Sequence, residues 1–406
     1  MPLKNLLLHL SVFLIALTYS YNTAKLPEFR EYTVYMKLKV LGQWELYEEG
    51  IGSPVEIEES EITELEGRKA FLFIRKPFYI PESRRIEIFG NVKVKDNRIF
   101  ISSYGWDVEE LPSKNNLRNS LMAKFKSIVK EEHLQAIGLA FLFGESKRNL
   151  TIEVESAFLH TGLIHVLVVS GLHVGLVFLI LSKTLPRFLG MWVGLIGVLF
   201  YFFFIVPQNP PVIRATSMIL IYIFSQLSFR QYCSLCSLFF SSSVMLFLLP
   251  YFVFSYSFWL SFFAVLYIVL TLKDLKVNNY LKSLLVSLAA FTGTAPLIAS
   301  FSFITPLSVL LTPVLSPLIF AYALFSIISL ITFFSFIPTL VFMNLSGEIV
   351  FRILNFFSDF SPKLLSGITS QEAFIVSLIG AAALYFTRGL YRLIPLLGIN
   401  LYLILR

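Results

Sequence analysis

Residues 161–182 are the run that most constrains this chain, because 22 consecutive positions carry no formal charge. About 20 apolar residues are enough for a helix to cross the hydrocarbon core of a bilayer. An ordinary membrane helix fills that length with leucine, valine and phenylalanine, whereas this run contains His165, Ser170, Gly171 and His173. Polar side chains at that depth cost free energy. The run therefore predicts a membrane segment whose polar residues have a specific role.

Composition divides the chain into two parts. Of its 406 residues, 56% are hydrophobic and only 15% are charged, whereas soluble domains carry about 25% charged residues. Residues 22–150 hold 20 acidic and 20 basic side chains, but residues 151–406 hold only 6 acidic and 12 basic ones. The sequence therefore predicts a polytopic α-helical membrane protein in which a charge-balanced, water-exposed domain precedes the membrane domain.

Residues 22–112 have the pattern of a small β domain. Residues 31–41 alternate with a period of two, which is typical of a half-buried strand. One face carries Thr33, Tyr35, Lys37 and Lys39, and the other carries Val34, Met36, Leu38 and Val40. Further strands are predicted at 69–75, 84–94 and 98–104, with Asp96 and Asn97 in a hairpin turn. We predict an external, OB-like β-barrel; the alternative is a fragment of a β-sandwich.

Short helical segments flank this β domain. Residues 1–21 are predicted to be a transmembrane anchor, with a cleaved signal peptide as the alternative. Residues 113–132 carry apolar side chains at helical spacing among lysines, namely Leu117, Leu121, Phe125 and Ile128. That pattern predicts an amphipathic helix at the membrane surface, and residues 134–144 are too short to span a bilayer. Residues 113–150 are therefore assigned to amphipathic and interfacial helices.

About eleven membrane crossings are predicted, including the first helix. After residue 150 they lie at 161–182, 189–206, 212–229, 233–249, 252–272, 284–302, 307–335, 338–357, 371–387 and 393–405. Basic residues concentrate in alternate loops: Lys183, Arg187, Arg230, Lys273, Lys276, Lys282, Arg388 and Arg392. Because basic loops face the cytoplasm, we expect the N-terminus inside and the β domain and the C-terminus outside. Three prolines, Pro306, Pro313 and Pro317, leave open whether 304–337 is one helix or a re-entrant segment.

The polar residues of the 161–182 run allow two interpretations. His165 and His173 are eight positions apart, which on a continuous helix is a rotation of about 80° and places them on roughly one face; a break at Ser170 and Gly171 is the alternative. These residues either line a polar conduit or make interhelical hydrogen bonds in a packed bundle. We predict neither a metal site, since His160 is the one further histidine of the motif, nor catalysis, since no G-x-S-x-G elbow is present.

Two other charged sites lie in apolar surroundings. Arg214 follows a Pro-Pro pair at the start of an apolar run. Its guanidinium either snorkels to the membrane surface or faces a pore and contacts an anion. Glu348 and Arg352 are four residues apart, a spacing at which helical side chains pair, and we expect an ion pair between them.

Aromatic side chains recur at strand spacing in the β domain. Tyr35, Trp44 and Trp106 are predicted contacts for single-stranded DNA if the aromatics form a base-stacking platform. The alternative is that most of them belong to the barrel core. The equal numbers of acidic and basic residues argue against a strongly basic groove, although charge can still be sorted by face.

Residues 162–173 read Gly-Leu-Ile-His-Val-Leu-Val-Val-Ser-Gly-Leu-His and closely resemble the signature of the ComEC competence family. Four further segments resemble motifs of that family, in the same order: 141–145, 212–218, 258–262 and 293–296. Residues 258–262 lack the glycine that begins the corresponding family motif. The resemblance adds weight to functional roles for His165, Ser170, Gly171, His173 and Arg214.

The resemblance implies a channel in the bacterial inner membrane that passes one DNA strand into the cytoplasm during natural transformation. Residues 151–406 would then be a competence-type transmembrane channel domain, working without a cofactor. Many family members carry a C-terminal metallo-β-lactamase-like domain. This chain ends at Arg406 without an H-x-H-x-D-H signature, so the expected partners are a separate nuclease, a DNA-receptor protein and a cytoplasmic ATPase or helicase. The alternatives are a secondary transporter of a small solute and an intramembrane hydrolase.

Overall fold

The computed structural model describes residues 3–406 apart from short segments. The segments outside the description are 25–31, 42–43, 48, 77–80, 82–84, 96–97, 112–115, 145–149, 168, 208, 230, 274, 276 and 366. The predicted turn at Asp96 and Asn97, the last residue of the 141–145 motif, and the loop residues Arg230 and Lys276 therefore lie outside the described residues.

Seven strands form the N-terminal β domain, and five of them close into a barrel. The strands are β1 (Tyr32–Val40), β2 (Glu45–Tyr47), β3 (Gly50–Ser60), β4 (Lys69–Arg75), β5 (Arg85–Lys95), β6 (Arg98–Tyr104) and β7 (Val108–Leu111). Their order is β1-β3-β4-β6-β5, and β5 pairs back with β1 to close the ring. β4 and β6 run parallel, and the other neighbours run antiparallel. The predicted small barrel, of the size class of OB folds, is confirmed.

Alternation along the strands fills this barrel. On β1 the side chains of Val34, Met36, Leu38 and Val40 are buried, as the sequence predicts, while Thr33 and Tyr35 on the opposite face are exposed. Ile57, Leu72, Ile88 and Ile101 from the other strands meet them in the interior. The barrel core is therefore aliphatic, and the larger aromatic side chains of β1, β4, β5 and β6 are left for the outer surface.

Helices make up most of the remaining structure. They are α1 (Leu3–Ala24), α2 (Asn116–Ile128), α3 (Glu132–Phe143), α4 (Ile152–His160), α5 (Ile164–Leu167), α6 (Gly171–Ser182), α7 (Arg187–Phe200), α8 (Pro210–Leu227), α9 (Ser234–Leu248), α10 (Tyr256–Leu272), α11 (Asn279–Ala299), α12 (Ser308–Ile331), α13 (Ile337–Ser358), α14 (Ser370–Phe386) and α15 (Leu393–Leu405). α12 continues through Pro313 and Pro317 as one helix, so the re-entrant alternative is wrong.

Among the described residues, five helices are long and apolar enough to cross a membrane. These spans are Leu6–Thr23, Arg187–Ile205, Asn279–Ala299, Ser308–Ile331 and Ile337–Ser358. Six further apolar helices are shorter. The chain is therefore a membrane protein, while the count of eleven crossings, the orientation and the external location of the barrel stay predictions.

The helices pack in two groups, each around its own hydrophobic core. The first core is built from α2 to α6, α12 and α13, with residues of α7 and α8. The second core is built from α1, α9, α10, α11, α14 and α15. α8 contacts both groups, because Val212 belongs to the first core and Ile213 packs against the second. The next residue is Arg214, which therefore lies close to the junction between the two groups.

Candidate functional site

The chain breaks its helix twice within the 161–182 run. α4 ends at His160 in a left-handed glycine cap, with Gly162 at φ +75°. The Leu163 N–H donates to the Phe158 carbonyl at 2.8 Å, and the Gly162 N–H donates to the Leu159 carbonyl at 3.0 Å. This is the hydrogen-bond pattern of a Schellman motif, which satisfies the last carbonyls of a helix. A one-turn helix, α5, then separates this cap from α6.

Ser170 and His173 begin α6 as a reciprocal cap. The Leu172 N–H donates to Ser170 Oγ at 3.3 Å, and the Ser170 N–H donates to His173 Nδ1 at 3.1 Å. His173 therefore occupies the position that glutamate or glutamine usually fills in a capping box. Since Nδ1 accepts that N–H, the proton of a neutral His173 ring lies on Nε2.

These breaks change the expected geometry of the two histidines. The prediction of a continuous helix with His165 and His173 on one face is wrong, and the alternative break at Ser170 and Gly171 is what the structure shows. His165 is exposed, and its Nδ1 lies 3.1 Å from the Gly162 carbonyl oxygen. His173 is completely buried. The two histidine side chains therefore lie in different environments, one exposed and one buried.

The His173 ring is held by the helix cap that it forms with Ser170 and by aromatic side chains of other helices. Its ring lies 4.0 Å from the ring of Phe141 on α3, and Phe141 packs edge-on against Tyr322 of α12 at 4.9 Å. His173 Nε2 has no hydrogen-bond partner among the described residues. Burial of a hydrogen-bond donor without a partner costs about 1–3 kcal/mol of folding free energy. His173 Nε2 is therefore an unsatisfied donor at this site.

Arg214 is the second buried polar group in this region. Its side chain is on α8 and is only 5% exposed, which does not fit the snorkelling interpretation. Arg214 Nη1 has no hydrogen-bond partner within the described part of the chain. Ala215, the residue after Arg214, lies next to Gly171 of the 162–173 segment. A Cβ placed on Gly171 would be 3.4 Å from Ala215 Cβ. The start of α6 therefore lies against α8 one residue from Arg214.

A third family-like segment, residues 141–145, converges on the same place. Gly144 ends α3 at φ +65°, and a Cβ there would lie 2.6 Å from Pro207 Cδ and 3.1 Å from Val169 Cγ2. The Tyr201 hydroxyl also donates to the Leu142 carbonyl at 3.1 Å. The sequence segments around 141, 162–173 and 212–218 are thus brought together by the first group of helices.

The remaining two motif segments lie in the second group of helices. A Cβ on Gly293 of α11 would lie 2.9 Å from the Phe263 carbonyl oxygen and 2.9 Å from Tyr267 Cγ, so α10 and α11 are in backbone contact there. The Tyr267 hydroxyl donates to the Ser377 carbonyl of α14 at 2.8 Å. These segments therefore contribute to helix packing in the second core, whereas His173 lies among helices of the first.

The barrel presents a continuous aromatic face on β4, β6, β5 and β1. The strand registers align two outward rows, Phe71, Phe100 and Lys93, and Phe73, Ser102, Asn91 and Thr33, and they pair Arg75 with Tyr104 and Phe89 with Tyr35. Tyr35 packs on Phe89 at 4.5 Å, and Trp106 stacks on Tyr104 at 4.7 Å with nearly parallel rings. We call these residues, together with Trp106, the aromatic face.

Charge is sorted around this aromatic face. Arg75 and Lys93 line a shallow groove together with the rings of Phe71, Phe73 and Phe100, and the Arg75 guanidinium lies 5.9 Å from the centre of the Tyr104 ring. Outside this groove, Lys37 forms a 2.6 Å ion pair with Glu59, which raises the pKa of Lys37. An overall charge balance is therefore compatible with a local basic groove.

The three residues predicted to contact DNA differ in their exposure to solvent. Tyr35 is 56% exposed and Trp106 is 65% exposed, and both belong to the aromatic face. Trp44 is half-buried and packs against the barrel core, which fits the alternative that some aromatics are structural. Phe89, Phe100 and Tyr104 are exposed members of the face that were not among the three predicted contacts.

The predicted ion pair between Glu348 and Arg352 is present, with Arg352 Nε donating to Glu348 Oε1 at 2.6 Å. A partner that the sequence did not reveal joins it, because His133 Nε2 lies 2.6 Å from Glu348 Oε2. The two residues are 215 positions apart, and no local pattern connects them. This cluster lies at the contact of α3 with α13.

Comparison with known proteins agrees with the motif segments. The family model described as "Competence protein" matches residues 141–392. A protein of Aquifex aeolicus (strain VF5), described as uncharacterized, is 66% identical over 401 residues, which are 99% of this chain and 97% of that protein. No solved structure matches the chain. The matched range contains all five motif segments, including His173 and Arg214.

Proposed function

The chain belongs to the competence protein family, and on that premise we propose that it forms a channel through which single-stranded DNA crosses the inner membrane during natural transformation. The observation that carries the DNA part of this proposal is the aromatic face of the barrel. Exposed rings on a strand surface stack unpaired bases, and neighbouring cations bind the phosphates. Bases in a duplex are already stacked and paired, so the face favours a single strand.

The membrane domain offers features that suit an anionic substrate. In the sequence, residues 151–406 carry 12 basic and 6 acidic side chains. The positive end of α6 lies against the second turn of α8, since Gly171 of α6 approaches Ala215 of α8, and helix N-termini attract phosphate groups. Buried Arg214 adds a full positive charge near that junction. We infer that the DNA path follows the junction between the two helix groups.

Within this path the motif residues have different proposed roles. His165 and Gly171 are exposed and are placed to meet the substrate directly. Ser170 and His173 hold the start of α6 in position through their reciprocal cap, so they shape the path. Arg214 is proposed to contact a phosphate when the two helix groups separate.

The remaining parts of the uptake machine are proposed as partners. We propose that the N-terminus lies in the cytoplasm and the barrel outside, where it receives a strand from a DNA-receptor protein and a separate nuclease. A cytoplasmic ATPase or helicase would supply energy for inward movement.

Transformation of a strain in which this gene is deleted tests the proposal. We expect complementation by the intact chain to restore transformants, and complementation by His165→Leu or His173→Leu to give fewer transformants at equal membrane levels of protein. A matched control is Tyr391→Ala, which removes an exposed aromatic side chain in a turn outside the motif. Normal transformation of the deletion strain without complementation would contradict the proposed function.

A further inference from the structure

A histidine and two glutamates meet where α3 begins against the middle of α13. His133 Nε2 lies 2.6 Å from Glu348 Oε2 and 3.7 Å from Glu131 Oε2. One ligand atom from each of these three residues lies within 4.8 Å of the other two. None of the three belongs to a motif segment, and the 2.6 Å contact joins residues that are 215 positions apart. We call Glu131, His133 and Glu348 the α3–α13 cluster.

The backbone around this cluster is fixed in place. Glu131 is the N-terminal cap residue of α3, and its carbonyl accepts the Gln135 N–H at 2.9 Å. The Gln135 side-chain amide donates to the Lys126 carbonyl at 3.0 Å and to the Val129 carbonyl at 2.8 Å, which ties the end of α2 to the start of α3. The His133 ring stacks on Phe351 at 4.9 Å. These contacts hold the backbone at Glu131 and the ring of His133 in place.

Arg352 orients the third side chain. Its Nε donates to Glu348 Oε1 at 2.6 Å, which leaves Glu348 Oε2 directed at His133. Outer hydrogen bonds of this kind hold the carboxylates of metal sites in position. When the His133 ring is neutral, as a metal ligand must be, the two glutamates carry two negative charges against the one positive charge of Arg352, so the cluster has a net negative charge that favours a cation.

The cluster lies half-way along a helix that is long enough to span a membrane. Glu348 is the twelfth of the 22 residues of α13. The side chain of Arg352 is 78% exposed and that of Glu131 is 62% exposed. Charged side chains facing hydrocarbon at that depth cost about 2.5–3.5 kcal/mol each. This side of α13 therefore faces water, and ions from solution can reach the cluster.

We propose that the α3–α13 cluster binds a divalent transition-metal cation such as Zn²⁺. Imidazole and carboxylate ligands suit such cations, and ligand atoms about 2.0–2.1 Å from a tetrahedral zinc are about 3.3 Å apart. The observed separations of 2.6 and 3.7 Å lie on either side of that value. Rotations of side chains that are already partly exposed are enough to reach it, and water takes the remaining position.

Titration of the purified full chain with Zn²⁺ tests this proposal. After treatment with a chelator, the protein in detergent is expected to take up one equivalent of Zn²⁺ in isothermal titration calorimetry. Affinity should fall at least about tenfold in His133→Ala. Glu131→Gln provides a second variant, because the Glu131 side chain is 62% exposed and its change leaves the core intact, and it should also weaken binding.

Two further variants separate a metal site from a simple ion pair. Glu132→Gln alters the adjacent exposed glutamate and should bind Zn²⁺ like the unaltered chain. Arg352→Gln removes the hydrogen bond that orients Glu348 and should weaken Zn²⁺ binding, but less than His133→Ala does, because all three ligands remain. The absence of a saturable one-equivalent site would overturn the proposal. Equal losses of affinity in Glu131→Gln and Glu132→Gln would also overturn it, because they would show non-specific attraction by surface charge.

Discussion

Replacement of Trp106 by alanine is expected to weaken the binding of single-stranded DNA. Trp106 is 65% exposed and stacks on Tyr104 with the ring planes 4° apart and the ring centres at 4.7 Å. One face of the indole is therefore already covered by protein, and the other is left for a base. Alanine removes that second surface without disturbing the barrel core, to which Trp106 does not belong.

The size of the effect follows from the number of faces that a base can use. A base stacked on an aromatic side chain contributes about 1–3 kcal/mol by alanine substitution. With one indole face available we expect the lower part of that range, and 1.4 kcal/mol is a factor of about ten in Kd. Tyr35 is two strand spacings from Tyr104, about 10 Å, so the effects of Trp106→Ala and Tyr35→Ala should add in free energy.

Fluorescence anisotropy with a labelled oligothymidine and the purified full chain measures this effect. The expected result is an increase in Kd of about fivefold to twentyfold for Trp106→Ala, and the product of the two single factors for the double variant. Tyr391→Ala is the matched control, since Tyr391 is 72% exposed and lies outside the barrel. Unchanged affinity in the double variant, or equal losses in the control, would refute base stacking on the aromatic face.

Three other predictions concern the helix breaks and the junction. Ser170→Ala should lower the free energy of unfolding by about 1 kcal/mol in thermal denaturation, because the α6 cap is lost, and Ser170→Thr should recover most of it. Gly162→Ala should lower it by about 1–2 kcal/mol owing to the positive φ, whereas Gly175→Ala, with open space at its Cβ, should not. Arg214→Leu should reduce transformation at normal membrane levels more than Arg214→Lys does, and equal transformation by both would argue against a phosphate contact.

Local patterns predicted the barrel well where the strands were regular. β4 and β6 begin and end where the alternation of the sequence indicates, and the inward face of β1 is the predicted one. β3 was missed because Gly50, Gly52 and Pro54 weaken the strand pattern. In the structure β3 is held from both sides by β1 and β4. Pairing between distant segments therefore overrode a weak local preference.

The membrane site was harder to predict for two physical reasons. The apolar composition of residues 161–182 indicates a membrane environment. It does not indicate whether the backbone stays helical throughout. Gly162 and Ser170 are typical helix-ending and helix-starting residues, and they were the available signals for two breaks. The contact of His133 with Glu348 depends on the packing of α3 against α13, which sequence spacing cannot reveal at a separation of 215 residues.

Passage of DNA through the purified chain in a bilayer tests the central claim most directly. Proteoliposomes containing the protein would be given a labelled single strand outside, under an imposed membrane potential, followed by external nuclease. We expect that labelled single strand becomes protected in the lumen, that duplex of the same length does not, and that Arg214→Leu reduces protection. Equal protection in protein-free liposomes, or flux of small solutes without any DNA entry, would contradict it.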